Sequence, residues 1–406
     1  MEYQSHILPN GIRIVHIPAS GSVAYCGLIV NAGSRDEQKD ECGLAHFIEH
    51  VVFKGTAKRR ARHILCRLDE VGGELNAFTT KEDTTIHASF LTEYFERAAE
   101  LIFDMVFHSI FPEKELEREK EVIADEITSY KDTPSELIYD EFEEQIFPTD
   151  PLGHNILGTR RSIATFDGES ARRFMARNYN TDQMVFSVYG SMSFDKVIRI
   201  ARKYFGTVPE NRRTASRRTT PAYAPTHVSK HKATHQGHVV LGNVAFDNND
   251  PQRLTMHLLS NMLGGPCMNS RLSMLLREKN GIAYNVETSY TPYCGTGVFT
   301  IYFGTDADNI ERSLALVDHE LTSLCQKRLS ATALHRAQRQ MTGQLMMSTD
   351  NGENQMLSIG KGVLLYDHVD PIADVCRKVM TITPADVLEV ANRAIDPRQM
   401  SSLIFR

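Results

Sequence analysis

The sequence predicts an α+β protein formed by tandem duplication, in which each half packs helices on a mostly antiparallel sheet. The strongest observation is a repeated strand-to-helix order. The strand pattern of residues 84–90 runs into a helical pattern at 92–111, and that of 297–303 runs into another at 305–324. A duplication explains this order better than a long series of βαβ units, so we expect two related α+β halves.

The segments that open the two halves also correspond. Alternating β-branched residues predict strands at 11–17 and 22–30 in the first half and at 238–244 in the second. A helical pattern follows each group, at 41–53 and at 250–263. Both halves are therefore predicted to begin with strand and then helix.

The predicted boundary lies at an irregular stretch rich in Pro, Thr, Ser and Arg. We assign residues 1–208 to an N-terminal domain, 209–232 to a linker and 233–406 to a C-terminal domain. Both domains have an ordinary size for a folding unit.

Composition excludes several classes of protein. The 406 residues are 41% hydrophobic and 24% charged, which is typical of a soluble globular chain and not of collagen, a coiled coil or a disordered protein. No apolar run is long enough to span a membrane. The first residues resemble neither a secretory signal nor a transit peptide, so we expect a cytoplasmic protein without membrane partners.

Charge and cysteine content narrow the choice further. The net charge of -6 has the wrong sign for a general nucleic-acid binder, and we expect no nucleic-acid partner. The seven cysteines are an odd number and include no C-x-x-C pair. We therefore predict neither a disulfide framework nor a cysteine zinc site, and expect reduced, mostly buried thiols.

The segment GLAHFIEHVVFKGT contains the residues that point to chemistry. His46, Glu49 and His50 are spaced i, i+3 and i+4, which places them on one face of a helix. Two imidazoles can bind one zinc ion, and a carboxylate one turn away can act as a general base instead of a ligand. The alternative is an amphipathic helix whose histidines lie in a core or in solvent.

A catalytic zinc requires a third protein ligand. Residues 113–145 are charged and strongly helical in propensity, and Glu119 and Glu126 lie two turns apart on one face. Val122 and Ile123 lie between them on an adjoining apolar stripe, so we expect this face to point inward. For the other acidic residues of the helix we expect a solvated surface: Glu113, Glu115, Glu117 and Glu121.

Essentially the whole chain resembles the inverted zincins, the family of pitrilysin, insulin-degrading enzyme and the mitochondrial processing peptidase, and within it the short bacterial-type members. The resembling segments are LPNGIRIV, NAGSRDE, GLAHFIEHVVFKGT, VGGELNAFTTKEDT, EVIADEI and RLSMLLREKNGIAYNV. In that family the third zinc ligand is a glutamate 76 residues beyond the second histidine, which corresponds to Glu126. A supporting glutamate seven residues earlier corresponds to Glu119.

The resemblance implies roles for the zinc site. His46, His50 and Glu126 would hold one Zn2+ per chain. Glu49 would be the general base that takes a proton from water and returns it to the leaving amine. Glu119 would fix the tautomer of a ligand histidine and add negative charge behind the metal.

The resemblance also implies substrate contacts. Asn76 and Ala77 would lie on an edge that holds an extended substrate by strand addition, although the same residues also suit a plain strand edge. Arg277 and Tyr284 would hydrogen-bond the substrate near the scissile bond and help to stabilise the oxyanion. The alternative for this pair is a surface arginine and a core tyrosine.

The second half offers His257, Ser260 and Asn261 at the positions that correspond to the zinc motif of the first. This substitution indicates loss of the base and of one ligand. We therefore expect no second zinc site of this kind, and a C-terminal domain that contributes substrate contacts.

We expect a zinc metallo-endopeptidase acting on peptides and unfolded segments inside a closed dimeric chamber. Long relatives carry four such units and this chain carries two, so a homodimer, or a heterodimer with a sister subunit, restores the number. A non-catalytic structural subunit is the main alternative, although such relatives typically lose the zinc residues. An oligonucleotide-binding role would depend on the arginines of the linker, which are Arg212, Arg213, Arg217 and Arg218.

Overall fold

A computed structural model of the chain describes residues 3–214, 216–217, 222–232 and 234–406. Its strands are β1 Gln4–Ile7, β2 Arg13–Pro18, β3 Val23–Val30, β4 Glu74–Thr79, β5 Thr84–Leu91, β6 Met184–Gly190, β7 His227–Lys230, β8 Gly237–Ala245, β9 Ala283–Tyr293, β10 Thr296–Thr305 and β11 Ser401–Phe405. Its α-helices are α1 Leu44–Val51, α2 Ala61–Asp69, α3 Phe95–His108, α4 Glu113–Lys131, α5 Pro134–Ile146, α6 Arg160–Ile163, α7 Gly168–Asn178, α8 Phe194–Tyr204, α9 Arg253–Gly264, α10 Ile310–Gln326, α11 Ala331–Ser348, α12 Gly352–Tyr366, α13 Ile372–Thr381 and α14 Pro384–Ala394.

The two sheets share one topology. The first has the order β1-β2-β6-β3-β5-β4 and the second the order β7-β11-β8-β10-β9. Without β1 the two orders match strand for strand, because β2 pairs with β6 in parallel, β7 pairs with β11 in parallel, and the remaining pairs are antiparallel. The predicted α+β class and its duplication are therefore confirmed.

The chain divides into two compact units that exchange one segment each. The first unit contains Met1–Thr128, His154–Arg217 and Met347–Pro371, and the second contains Ser129–Gly153, Arg218–Met346 and Ile372–Arg406. Thus α5 belongs by its contacts to the second unit and α12 to the first. The boundaries at 1–208, 209–232 and 233–406 remain a prediction about the duplicated sequence halves, and the packing units are discontinuous.

Each exchanged helix covers one face of a sheet. In the first unit, Val363 and Leu364 of α12 pack on Val15, Ile29 and Val185, while α3 and α8 belong to the large core on the opposite side. In the second unit, α5 packs against β8 and β11. The first sheet buries apolar side chains on both faces, so it needs cover on both. Without the exchanged helix one of those faces would be exposed.

The charged stretch over 113–145 forms two helices. The first, α4, ends at Lys131, and α5 begins with Pro134 at its first position. Proline has no amide hydrogen and disfavours helical geometry in the residue before it, so it begins a helix more readily than it continues one. The helical propensity was predicted correctly, and the break between the two helices was not predicted.

Part of the predicted linker is regular structure. Residues His227–Lys230 form β7, which pairs in parallel with β11. Arg217 pairs with Asp36 and Glu82, and the side chain of Arg213 donates to the carbonyl oxygen of Asn31. These arginines are therefore held in ion pairs and hydrogen bonds within the first unit. Residues 215 and 218–221 of the predicted linker, with Arg218, lie outside the described residues.

The prediction of mostly buried thiols is wrong. Of the seven free cysteines only Cys26 is buried, and Cys294 is exposed because it lies in the turn between β9 and β10. The others are partly accessible.

No helix in the described ranges combines the length and the apolar character needed to cross a membrane.

Candidate zinc site

The helix that carries the histidine motif is held at its start by a buried carboxylate. Gly43 precedes α1 and has no side chain with which to cap it. Instead, Glu37 accepts hydrogen bonds from the backbone N–H of Gly43 at 3.0 Å and of Ala45 at 2.9 Å. A carboxylate in this place satisfies two donors that an α-helix leaves unpaired. Glu37 thereby fixes where the motif begins.

Gly43 itself is required by backbone geometry and by space. Its φ of 92° lies in the left-handed region, and an added Cβ would lie 2.7 Å from Gly158 Cα and 2.9 Å from the Leu157 carbonyl oxygen. Both contacts are backbone atoms, which cannot rotate away. The loop at 157–158 is therefore pressed against the start of α1.

Gly43→Ala is expected to lower the free energy of unfolding by about 2–5 kcal/mol, the sum of a left-handed backbone and overpacking. Urea denaturation of the metal-free protein measures the change. Gly72→Ala is a matched control, because Gly72 has a φ of 73° and nothing within 4 Å of an added Cβ. An equal loss in both variants would show that the contact with the 157–158 loop is unimportant.

The predicted ligands meet in the first unit. His46 Nε2 lies 3.8 Å from Glu126 Oε1, and His50 Nε2 lies 3.6 Å from Glu126 Oε2. Two ligand atoms on a tetrahedral zinc are separated by about 3.4 Å, since each is about 2.1 Å from the ion. The donor set of two imidazoles and one carboxylate therefore fits zinc with a small adjustment and leaves a fourth position open.

The protonation of His46 suits a ligand. Burial and the neighbouring His50 lower the pKa of His46 to about 3, so its imidazole is neutral near pH 7. The two rings are 4.6 Å apart and inclined by 63°. Neutral imidazoles are the form of histidine that binds a metal.

His50 is oriented by Glu119. Its Nδ1 lies 2.9 Å from Glu119 Oε1, and a carboxylate can only accept, so Nδ1 donates and Nε2 keeps its lone pair towards Glu126. Lys54 pairs with the other Glu119 oxygen at 2.6 Å. Burial alone would raise the pKa of Glu119, but the hydrogen bonds from His50 and Lys54 outweigh it and lower that pKa.

Glu119→Gln is expected to weaken zinc binding by about 10- to 100-fold while the fold is kept, because an amide holds the His50 tautomer less firmly. Competition for zinc with a coloured chelator measures the affinity. Glu115→Gln is the control, since Glu115 lies on the same helix and pairs only with Arg118 in the described contacts. Unchanged zinc affinity in Glu119→Gln would contradict the supporting role.

The inward face of α4 is narrower than predicted. Glu119 is 6% exposed and Ile123 is fully buried, but Val122 is 51% exposed and the Glu126 side chain 43%. The prediction for Val122 is therefore wrong, because one residue of helix is a rotation of about 100° and carries it off the buried face. Glu126 reaches the histidines from a side open to solvent.

Glu49 lies beside the donor set and beside β4. Burial raises the pKa of its carboxyl, which is partly opposed by hydrogen bonding to Thr79 and by the nearby His50. Thr79 is the last residue of β4. The motif carboxylate is thus placed between the ligands and the end of this strand.

Asn76 and Ala77 lie on an edge strand. β4 is the last strand of its sheet and pairs only with β5 among the described residues. Asn76 is exposed, and Ala77 packs against the core. An unpaired strand edge presents N–H and C=O groups to a further extended chain.

Arg277 and Tyr284 lie in the second unit. Arg277 is part of a π-helical segment, Ser273–Lys279, and lines a cavity of about 310 Å³. Tyr284 is in β9 and is 61% exposed. The alternative of a core tyrosine is therefore wrong, and the phenol is available to a ligand.

In the second half, the residues that correspond to the zinc motif of the first make packing contacts and hydrogen bonds. His257 packs against Tyr290 with the ring centres 4.7 Å apart, and burial lowers its pKa to about 4. The Ser260 carbonyl oxygen accepts from the Thr288 hydroxyl at 2.7 Å, and Asn261 donates to Gln344 at 2.9 Å. These side-chain and backbone contacts join α9 to its neighbours.

Sequence reasoning missed three residues of the site. Glu37, Lys54 and Thr79 all fall inside segments that carry the resemblance, but no role was assigned to them. Lys54 gave a weak signal, since it follows His50 at a helical spacing of four. Glu37 gave none, because its partners are backbone groups that any residues could supply.

The H-x-x-E-H order on one helix, with a further carboxylate beside it, is the motif of the inverted zincins, a class of zinc peptidase. Residues 13–160 match the family model described as Insulinase (Peptidase family M16), and residues 165–341 match the Peptidase M16 inactive domain. An uncharacterized zinc protease of Bacillus subtilis, YmxG, is 36% identical over 88% of this chain and 87% of its own. An uncharacterized zinc protease of Rickettsia bellii is 32% identical over 98% of this chain and 96% of its own.

Two solved structures share the fold. A peptidase M16 inactive domain from Pseudomonas fluorescens superimposes with a TM-score of 0.93 at 21% identity, covering 100% of this chain and 98% of its own. A protease from Helicobacter pylori superimposes with a TM-score of 0.92 at 19% identity, covering 100% of this chain and 99% of its own. The chain belongs to peptidase family M16, the insulinase family. The resemblance drawn from the sequence is confirmed at this level.

Proposed function

We propose that this protein is a zinc-dependent endopeptidase that hydrolyses peptide bonds in peptides and unfolded segments. The observation that carries the proposal is the convergence of His46, His50 and Glu126 at 3.6 to 3.8 Å with Glu49 beside them. The names of the curated relatives, which are zinc proteases, support the same reaction class.

His46, His50 and Glu126 would hold the zinc. When bound, zinc supplies a Lewis acid that polarises the scissile carbonyl and makes a water easier to deprotonate. Glu49 takes the proton of the attacking water and delivers it to the leaving amine. Its partly buried setting favours both roles, because burial raises the pKa of Glu49 and makes the carboxylate a stronger base.

β4 would bind the substrate. An extended peptide that pairs with the free edge at Asn76 and Ala77 follows the strand to Thr79, which is the residue that contacts Glu49. Main-chain pairing recognises extended backbone and only weakly recognises side chains. This favours unfolded segments over folded proteins as substrates.

The C-terminal domain would complete the site in a dimer. Arg277 and Tyr284 would hydrogen-bond the substrate and stabilise the oxyanion, with each zinc site served by the pair from the partner subunit. A homodimer is the simplest assembly, and a heterodimer with a sister chain is the alternative. The exposure of Tyr284 and the position of Arg277 at a cavity support a binding role.

Arg277→Ala is expected to lower turnover while zinc stays bound, by about 100-fold or more if it stabilises the oxyanion. Mixing Arg277→Ala with Glu49→Gln protein should then restore part of the activity, because a hybrid dimer contains one intact site. Peptide cleavage before and after mixing measures this, with exchange of labelled subunits as the control. No recovery despite proven exchange would place Arg277 with the zinc of its own chain.

The test of the proposed function is cleavage of a library of unstructured peptides, followed by mass spectrometry. Cleavage should stop with a chelator, return with zinc and be absent from Glu49→Gln protein. A folded protein of similar composition should resist. If zinc-loaded dimeric protein cleaves nothing, the alternative of a non-catalytic subunit gains support, and cleavage that survives zinc removal would contradict the proposal.

A further inference from the structure

A second cluster of metal-binding side chains lies beside the start of α1. Ligand atoms of Glu37, Cys42 and His154 lie within 4.8 Å of one another. The three come from two separate loops of the first unit, one before α1 and one after residue 153. None of them belongs to the donor set of His46, His50 and Glu126.

We propose that Glu37, Cys42 and His154 form a second metal site, selective for a thiophilic divalent ion such as Zn2+ or Co2+. Carboxylate, thiolate and imidazole are all ligands of these ions, and a thiolate disfavours Mg2+ and Ca2+. No two of these ligand atoms are more than 4.8 Å apart, so a closure of at most about 1.4 Å brings them to the spacing of about 3.4–3.7 Å that a tetrahedral ion requires.

The two loops are held against each other independently of any metal. Gly43 follows Cys42 and touches the backbone of Leu157 and Gly158, as shown by the short distances from an added Cβ. The Cys42 thiol also contacts the Asn155 carbonyl oxygen at 4.0 Å. Backbone packing therefore places Cys42 and His154 together before an ion binds, which lowers the cost of forming the site.

Accessibility suits an exchangeable ion. Glu37 is 5% exposed and is fixed by two backbone N–H groups, whereas Cys42 and His154 are partly accessible. The buried carboxylate can keep its two hydrogen bonds and still offer lone pairs to a metal. The ion would enter from the solvent side, and water would complete its coordination.

The charged residues around the cluster include both signs, so they do not prevent a cation from binding. Lys81 donates to the His154 carbonyl oxygen at 2.6 Å, and its positive charge partly opposes the rise that burial causes in the pKa of Glu37. Glu41 adds negative charge and pairs with Arg177. Burial raises the pKa of Glu37, so binding releases to solvent the thiol proton of Cys42 and any proton carried by Glu37, and the ion gains one thiolate and one carboxylate.

The position suggests a role beyond metal storage. Glu37 and Cys42 lie immediately before the helix that carries His46, Glu49 and His50. An ion that joins them to His154 ties the start of α1 to the loop at 154–158. We therefore infer that a metal ion bound by Glu37, Cys42 and His154 stabilises the position of α1, the helix that carries the motif.

The test uses Co2+ as the probe in a chain that lacks the first site, His50→Ala with Glu126→Gln. Thiolate ligation should give a near-ultraviolet sulfur-to-cobalt charge-transfer band, and Co2+ should raise the Tm of this reduced protein. Adding Cys42→Ser should abolish both effects, while Cys66→Ser, another partly accessible thiol of the same unit, should keep them. Since no activity is measured, the result is independent of the proposed peptidase.

A second variant covers the possibility that Cys42→Ser fails to fold. His154→Gln should weaken Co2+ binding by about tenfold or more and leave a weaker band at saturation. A band that persists in folded Cys42→Ser protein would overturn the proposal. So would the absence of a band in the folded His50→Ala, Glu126→Gln chain, or Co2+ affinity that His154→Gln does not change.

Discussion

Glu49→Gln protein is expected to bind zinc with nearly unchanged affinity and to lose about 100- to 10,000-fold in kcat, the range typical of a missing general base. The amide keeps the shape of the side chain but cannot take a proton from water. Glu49 is not needed to hold the ion, because the ligand atoms of His46, His50 and Glu126 face one another without it.

Single-turnover cleavage and zinc content measured on the same sample separate these two effects. Glu121→Gln is a suitable control, since Glu121 is an exposed glutamate on α4. Loss of zinc together with loss of cleavage would assign Glu49 to the ligand set. Full activity in the variant would remove Glu49 from the mechanism.

Glu126→Gln protein is expected to lose zinc, and its cleavage should fall in proportion to the zinc lost. A carboxylate oxygen faces each histidine Nε2 at 3.6 to 3.8 Å, and a neutral amide oxygen is a much weaker ligand for a dication. The loss of affinity should exceed the about 10- to 100-fold expected for Glu119→Gln, which only supports a ligand.

Zinc competition across Glu126→Gln, Glu119→Gln and wild type ranks the three proteins. Excess zinc should restore part of the cleavage of Glu126→Gln if the remaining histidines still position the ion. An affinity equal to that of wild type would mean that Glu126 is not a ligand, despite its place in the cluster. Then the third ligand would have to be sought elsewhere.

The sequence predicted the clustered donor set better than its surroundings. The i, i+3, i+4 spacing of His46, Glu49 and His50 fixes one helix face by geometry alone. The meeting of that face with Glu126 depends on tertiary structure, and only the family resemblance supplied it. The structure then brings the residues together as expected.

Several features could not be predicted because they depend on packing between distant segments. The cover of the first sheet by α12 and of the second by α5 could not be predicted locally, since the apolar residues of each helix do not show which sheet they will contact. The exposure of Val122 depends on how α4 is rotated against its core. The role of Glu37 depends on backbone N–H groups six and eight residues further along.

The most direct test of the central claim is a zinc titration of metal-free protein with peptide cleavage measured at each step. Cleavage should be absent at the start and rise with zinc until the site of His46, His50 and Glu126 is filled. Glu49→Gln protein should fill the same site and stay inactive. Metal-free protein that cleaves as fast as zinc-loaded protein, or Glu49→Gln cleavage that rises with zinc as in wild type, would contradict a zinc peptidase that uses Glu49 as its base.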